Sequence, residues 1–190
     1  MTTTSQLTTK KIILTGMFTA IISVMSQIII PIQPVPLSLS LLAIFLTGML
    51  LEPKYAFFAA LAYILLGAFG LPVFAGLKGG IHVLTGMTGG FIMAYPIMAF
   101  TTSIFYSLSR RIKFQVINKK IAQAVITTLG MVISLFICYL IGTLWFSYIS
   151  GSSIAYSLAV CVYPFIAFDL LKIILAISFG LILRKVIDKI

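Results

Sequence analysis

The sequence predicts an all-α integral membrane protein: six transmembrane helices in a single domain, extracytoplasmic loops covering a ligand pocket, and both termini cytoplasmic. Three observations lead there. Of 190 residues, 61% are hydrophobic and 8% charged, with a mean hydropathy of +1.21, a balance outside the range of soluble domains. Proline, glycine and basic clusters divide the apolar sequence into six segments, most of them near the ~20 residues a span requires. Eleven of the thirteen Lys and Arg residues gather in alternate loops and at the termini, on one face.

The first span, near 11–30, follows Lys10 and Lys11. Its apolar core is too long for a signal peptide and no small-x-small cleavage site follows, so it reads as a mature helix. The second, near 38–51, is short, interrupted by Gly48 and bounded by Pro53. The third lies near 54–70. A glycine-rich stretch precedes the fourth, near 90–109, and a basic loop separates it from the fifth, near 121–149. The sixth, near 155–183, contains Pro164, which is expected to bend the helix and free the carbonyl of Val160.

Orientation follows from charge. Lys10, Lys11, Lys54, Arg110, Arg111, Lys113, Lys119, Lys120, Arg184, Lys185 and Lys189 all fall on one face of a six-span chain, against Lys78 and the lone His82 on the other. The positive-inside rule therefore puts both termini in the cytoplasm. A net charge of +10 does not imply nucleic acid, because the charges are dispersed at membrane boundaries; contact with anionic lipid headgroups accounts for them.

Several chemistries are excluded. The run Gly76-Leu77-Lys78-Gly79-Gly80 has neither the spacing of a nucleotide-binding loop nor a strand before it, so the chain is not expected to hydrolyse ATP by itself. One His and two Cys offer no metal site. Cys138 and Cys161 fall at different expected depths and read as two buried thiols rather than a disulfide. The only general bases in prospect are His82, Asp169 and Glu52, without a hydrolase motif around them. No enzyme activity and no cofactor are expected.

The most informative residues are Asp169 and Lys172, one helical turn apart in the sixth span and therefore on one helix face. A charge at bilayer depth costs at least ~2.5–3.5 kcal/mol, so such residues face a cavity, pair with each other or hold a polar ligand. A self-neutralising structural pair is the alternative. Buried pairs add little net stability, which favours a polar task in a chain with only three carboxylates.

Two loops on the opposite face from the basic residues stand out. Pro31-Ile32-Gln33-Pro34-Val35-Pro36 is stiffened by its prolines and reads either as a rigid rim or as a short membrane turn. Between Leu71 and Gly90, glycines at 76, 79, 80, 86, 89 and 90 alternate with Phe74, Ile81, Val83 and Leu84. Non-helical backbone at membrane depth is tolerated where protein buries it or it lines a cavity. The apolar residues therefore favour a lid over a solvated loop, and its N–H groups can cradle an anion. On the first span, Gly16 and Ala20 form a small-x-x-x-small pair, with Ser23 near the same face, that admits a close helix partner.

Pro34-Val35-Pro36, Gly70-Leu71-Pro72-Val73-Phe74-Ala75-Gly76, Leu84-Thr85-Gly86-Met87-Thr88-Gly89-Gly90-Phe91 and Asp169-Leu170-Leu171-Lys172, in this order, resemble the BioY family of biotin-specific substrate-binding proteins, the S components of energy-coupling factor (ECF) transporters. The resemblance runs over nearly the whole chain. It implies a six-helix S component in a prokaryotic cell membrane that binds biotin near the extracytoplasmic side. A separate transmembrane coupling protein and two cytoplasmic ATPases would supply energy, in line with the missing nucleotide loop, and the S component would topple to release substrate inward. Gly16 and Ala20 match the face on which S components dock the coupling protein. The sequence departs from the family pattern at Met87, where relatives commonly carry Pro, at Ser40, where Gln is common, and at Leu77 and Lys78, which break a glycine run.

Biotin suits these residues chemically. Its ureido ring presents N–H donors to Asp169 and a carbonyl acceptor to Lys172. Phe74, Phe91, Tyr95, Tyr163 and Phe168 are candidate apolar walls. The valerate carboxylate would meet the backbone of Gly79 and Gly80, or Lys78, His82 or Thr88. The alternative reading is a self-sufficient proton-coupled carrier with Asp169 as relay, although no clear internal repeat is present. A scaffold or membrane enzyme is a third.

Overall fold

In the computed structural model, residues 2–31, 35–112 and 119–187 are described. Their elements are α1 (Thr2–Met25), β1 (Ile29–Ile30), β2 (Leu37–Ser38), α2 (Ser40–Leu50), α3 (Pro53–Ala68), α4 (Ile81–Thr85), α5 (Gly89–Met93), α6 (Tyr95–Arg111), α7 (Lys119–Ser150), α8 (Ile154–Cys161) and α9 (Ile166–Ile187). Helix occupies all six regions expected from the sequence, and the differences lie at their ends and interruptions. Three stretches among the described residues, Gly89–Arg111, Lys120–Ser150 and Ile166–Ile187, are long and apolar enough to cross a membrane. Helices α2 and α3, of 11 and 16 residues, are apolar but shorter than the ~20 residues of a full span.

The first helix stops at Met25 instead of Ile30. At Ser26 the helix gives way to a turn, and the Ser26 hydroxyl lies 2.7 Å from the Ile22 carbonyl oxygen and 3.0 Å from the Tyr63 hydroxyl. The β-branched Ile29 and Ile30 then pair antiparallel with Ser38 and Leu37, as suits such residues. Of the proline segment, residues 32–34 lie outside the described residues. In the fourth region Pro96 sits at the start of α6, a position where its missing N–H costs nothing. In the sixth, Pro164 does more than bend the helix: α8 ends at Cys161 and α9 restarts at Ile166, because proline lacks the donor that continues the ladder.

Helix α2 forms the centre, packed by α1, α3, α6 and α9. Apolar around its whole circumference, it is buried on nearly all sides. Small residues let the helices approach: a Cβ at Gly48 would lie 2.6 Å from that of Thr102, and one at Gly180 would lie 2.5 Å from Met49 Sδ. Most buried hydroxyls bond locally or between helices, as Thr19 does to the Ala59 carbonyl and Ser103 to that of Leu51; Thr143 is an exception. That satisfaction is what an apolar surround demands.

The described basic residues of the helix ends meet at one end of the bundle. Lys11 pairs with Glu52 at 2.7 Å, Lys11 and Lys54 both approach the Tyr55 ring, and Arg184 donates to the Leu50 carbonyl at 2.8 Å at the C-terminus of α2. A cation is favoured there by the helix dipole. Lys113 and Lys189 lie outside the described residues.

The glycine-rich stretch is tied down at several points, although many of its residues are exposed. Phe74 and Lys78 bridge through their backbones, and Gln27 donates to the Val73 carbonyl and accepts from Leu77 N–H, each at 2.9 Å. Phe74, 1% exposed, lies against Gly67 and edge-on to Tyr63. Farther along, Trp145 of α7 donates to the Gly86 carbonyl at 2.9 Å.

Candidate functional site

The break between α8 and α9 sets Asp169 in the first turn of α9, where the helix dipole favours negative charge. Its backbone N–H bonds to the Phe165 carbonyl at 2.8 Å. Lys172, one turn later on the same face, donates to Asp169 Oδ1 at 2.7 Å. The Tyr139 hydroxyl of α7 donates to Oδ2 at 2.6 Å. Asp169 and Lys172 are 1% and 4% exposed, so both carboxylate oxygens are satisfied by donors in an apolar surround. The ammonium retains further donors beyond the one given to Asp169.

These groups line a cavity of about 50 Å³. Phe91 and Tyr95 form one wall, Cys138 and Tyr139 of α7 a second, and Cys161 and Phe165 a third, at the helix break; Val35 to Ser38 and Leu41 cover it. A chain of hydroxyls faces the charged pair. Ser38 Oγ lies 2.6 Å from Ser40 Oγ, which lies 2.8 Å from the Tyr95 hydroxyl. Tyr95 in turn stacks on Tyr63, with ring centroids 6.2 Å apart. Below the cover, the site thus has a charged end, a hydroxyl end and apolar or aromatic sides. Such an arrangement can orient a small, largely apolar ligand carrying both donors and an acceptor.

The structure brings together four of the residues singled out from the sequence: Asp169, Lys172, Phe91 and Tyr95. Phe74 is buried one layer behind, against Tyr63. Tyr163 and Phe168 do not reach the cavity. They are 63% and 44% exposed, Tyr163 in the turn before α9 and Phe168 beside Asp169 but rotated ~100° around the helix. Gly79, Gly80, His82, Thr88 and Lys78 are not among the lining residues. A Cβ at Gly80 would meet the His82 ring, and His82 and Lys78 are exposed. Of the two outer loops, it is the segment around the prolines that covers the cavity, through Val35 and Pro36. The glycine-rich loop is tied instead to Gln27 after α1, to Gly67 of α3 and to Trp145 of α7. Gly16 and Ala20 lie on an outward face of α1, with nothing within 4 Å of a Cβ at Gly16 and with Ile13 and Met17 exposed around them.

Tyr139, Cys138, Cys161, Phe165 and Ser38, which line the cavity, were not singled out from the sequence. Tyr139 carried a usable signal, since a tyrosine in mid-span must find its hydroxyl a partner. The two cysteines are free and buried as expected, but they line one cavity rather than lying at separate depths. Among the described residues no group of His, Cys, Asp and Glu is placed to hold a metal ion.

A family model described as the BioY family matches residues 1–189. A biotin transporter, BioY2, of Lactococcus lactis subsp. cremoris is 38% identical over 169 residues, covering 89% of this chain and 87% of that protein. The biotin transporter BioY of Thermotoga maritima is 33% identical over 176 residues, covering 93% and 96%. Among solved structures, the crystal structure of the S-component for biotin from an ECF-type ABC transporter superposes with a TM-score of 0.81 at 28% identity, covering 97% of this chain and 95% of that one.

Proposed function

The chain belongs to the BioY family and is a non-enzymatic membrane protein; from that premise we propose that it is the biotin-capturing S component of an ECF-type uptake transporter. The observation that carries this reading is the buried Asp169–Lys172 pair, braced by Tyr139 and facing a covered cavity. Asp169 accepts from the ureido N–H groups, Lys172 donates to the ureido carbonyl, and Phe91, Tyr95 and Phe165 enclose the thiophane ring and valeryl chain. A cavity of about 50 Å³ is far smaller than the ~300 Å³ or more of small-molecule sites. Capture therefore requires its walls to move apart, and the short strands β1 and β2 beside the cover offer the least regular structure to displace.

The remaining parts of the proposal concern partners and placement. The chain sits in the cell membrane with its basic end, and so both termini, on the cytoplasmic side. A transmembrane coupling protein seats on the outward face of α1 at Gly16 and Ala20, where small residues permit close helix approach. Two cytoplasmic ATPases supply the energy, since the chain carries no nucleotide-binding loop.

The test is calorimetric titration of biotin into detergent-purified protein stripped of ligand. Saturable one-to-one binding by this chain alone is expected, and its absence in a protein shown to be folded would reject biotin as the ligand. Tyr139→Phe removes one hydrogen bond to a charged acceptor, an interaction of ~1.5–3 kcal/mol. The same titration should then read weaker biotin binding, and the unfolding temperature should fall, because buried Asp169 Oδ2 loses its donor. Equal affinity in the variant would show that Tyr139 does not hold Asp169 for the ligand.

A further inference from the structure

At the basic end of the bundle a second cavity, of about 480 Å³, opens between the ends of α6, α7 and α9. Four cations converge on it: Arg110, Lys120, Arg184 and Lys185. Tyr106, 4% exposed, forms part of its wall, and Arg184 is held over the Tyr106 ring at 5.7 Å while donating to the Leu50 carbonyl. Gln123 adds a neutral donor, and Leu181 and Ile182 form an apolar flank. That flank continues onto the outer faces of α7 and α9, where Ile121, Val125, Ile182 and Val186 are each more than half exposed.

The geometry points to a binding site for an anionic phospholipid, its phosphate headgroup in this cavity and its acyl chains along the apolar faces of α7 and α9. Topology alone requires cations beyond the membrane boundary, not their convergence on one concavity. Basic pockets between helices at this level suit anionic headgroups, and arginine matches phosphate oxygens with paired N–H donors. Neutralisation from within is limited by composition, because the chain has only three acidic residues. Asp169 is committed to Lys172 and Glu52 to Lys11, although Glu52 also lines an adjoining cavity with Arg110, Arg111 and Arg184. Asp188 lies outside the described residues, and Arg110, Lys120 and Arg184 also interact within the protein, so what marks the site is the convergence of four cations on one concavity. The continuity of the cavity with lipid-facing apolar surface favours a lipid over a free anion. This inference does not depend on biotin being the ligand of the other site.

Native mass spectrometry of detergent-purified full-length protein incubated with phosphatidylglycerol, phosphatidylcholine or inorganic phosphate tests it. Phosphatidylglycerol should be retained at least roughly tenfold better than phosphatidylcholine. The exposed pair Lys120→Gln/Lys185→Gln should lose most of that retention, given the contribution of each basic residue near an anionic surface. The equally charged control Lys10→Gln/Lys54→Gln, at the same end but outside the cavity, should keep it. Equal retention of the two lipids, or equal retention by the two variants, overturns the site. Displacement of phosphatidylglycerol by millimolar inorganic phosphate would assign the cavity to a free anion and overturn the lipid.

Discussion

Asp169→Ala is expected to weaken biotin binding between roughly 30-fold and several thousandfold, the ~2–5 kcal/mol that follows truncation of one partner in a buried charge pair. The size of the effect comes from what is left behind. Lys172, 4% exposed, loses the acceptor at 2.7 Å, and Tyr139 loses the one at 2.6 Å. The ureido N–H groups of an incoming ligand then find no carboxylate, while they surrender their water. Calorimetric titration of the variant beside the native chain reads the change, and thermal unfolding of both shows that the variant is folded. Unchanged affinity in a folded variant would remove helix α9 from the biotin site.

The second large effect separates the pair's contribution to folding from its part in binding. Lys172→Met alone should lower stability by ~3–5 kcal/mol, since it strands a buried carboxylate. Replacing the whole group by apolar residues of similar volume, Asp169→Leu/Lys172→Met/Tyr139→Phe, should recover most of that loss, because no polar group is then left without a partner. Tyr139 has to be included, or its hydroxyl would be the stranded one. The triple variant should unfold near the native temperature and bind no biotin. Binding that survives in it would identify the pair as a structural ion pair only. A triple variant as unstable as Lys172→Met would show that these three residues do not act as one polar group in folding.

How much of this was legible in the sequence follows from the kind of signal each element carries. The six helical regions were legible because apolar runs between basic and proline boundaries are long-wavelength features that survive errors at their ends. The Asp169–Lys172 pair was legible because charge is rare in such segments and spacing alone puts the two on one face. The hairpin was not, since Ile28 to Ile30 continue an apolar run and hydropathy does not distinguish strand from helix. Where the helix ends, Ser26 contacts Tyr63, 37 residues away, a pairing that local hydropathy does not reveal. Tyr163 and Phe168 were misplaced because the break at Pro164 and the rotation per residue turn them outward. Proximity in sequence to Asp169 did not reveal that. The cysteines share a cavity for the same reason: the interruption from Val162 to Phe165 shifts Cys161 relative to the uninterrupted helix expected. The glycine-rich loop was read as a lid over the pocket, but it does not line the cavity; it is tied instead to Gln27, just after α1, and to Gly67 of α3, pairings that spacing in the sequence does not reveal.

The 11 residues of α2 span ~16 Å, about half of a hydrocarbon layer ~30 Å thick. At its N-terminal end Ser38 and Leu41 border the cavity, and the chain continues there into a four-residue antiparallel ribbon in place of helix. The chamber is thus made by truncation: it lies beyond the stub of the central column, roofed by a flap instead of being hollowed out between full-length staves. Lengthening α2 at that end would fill the chamber without replacing Asp169, Lys172 or Tyr139.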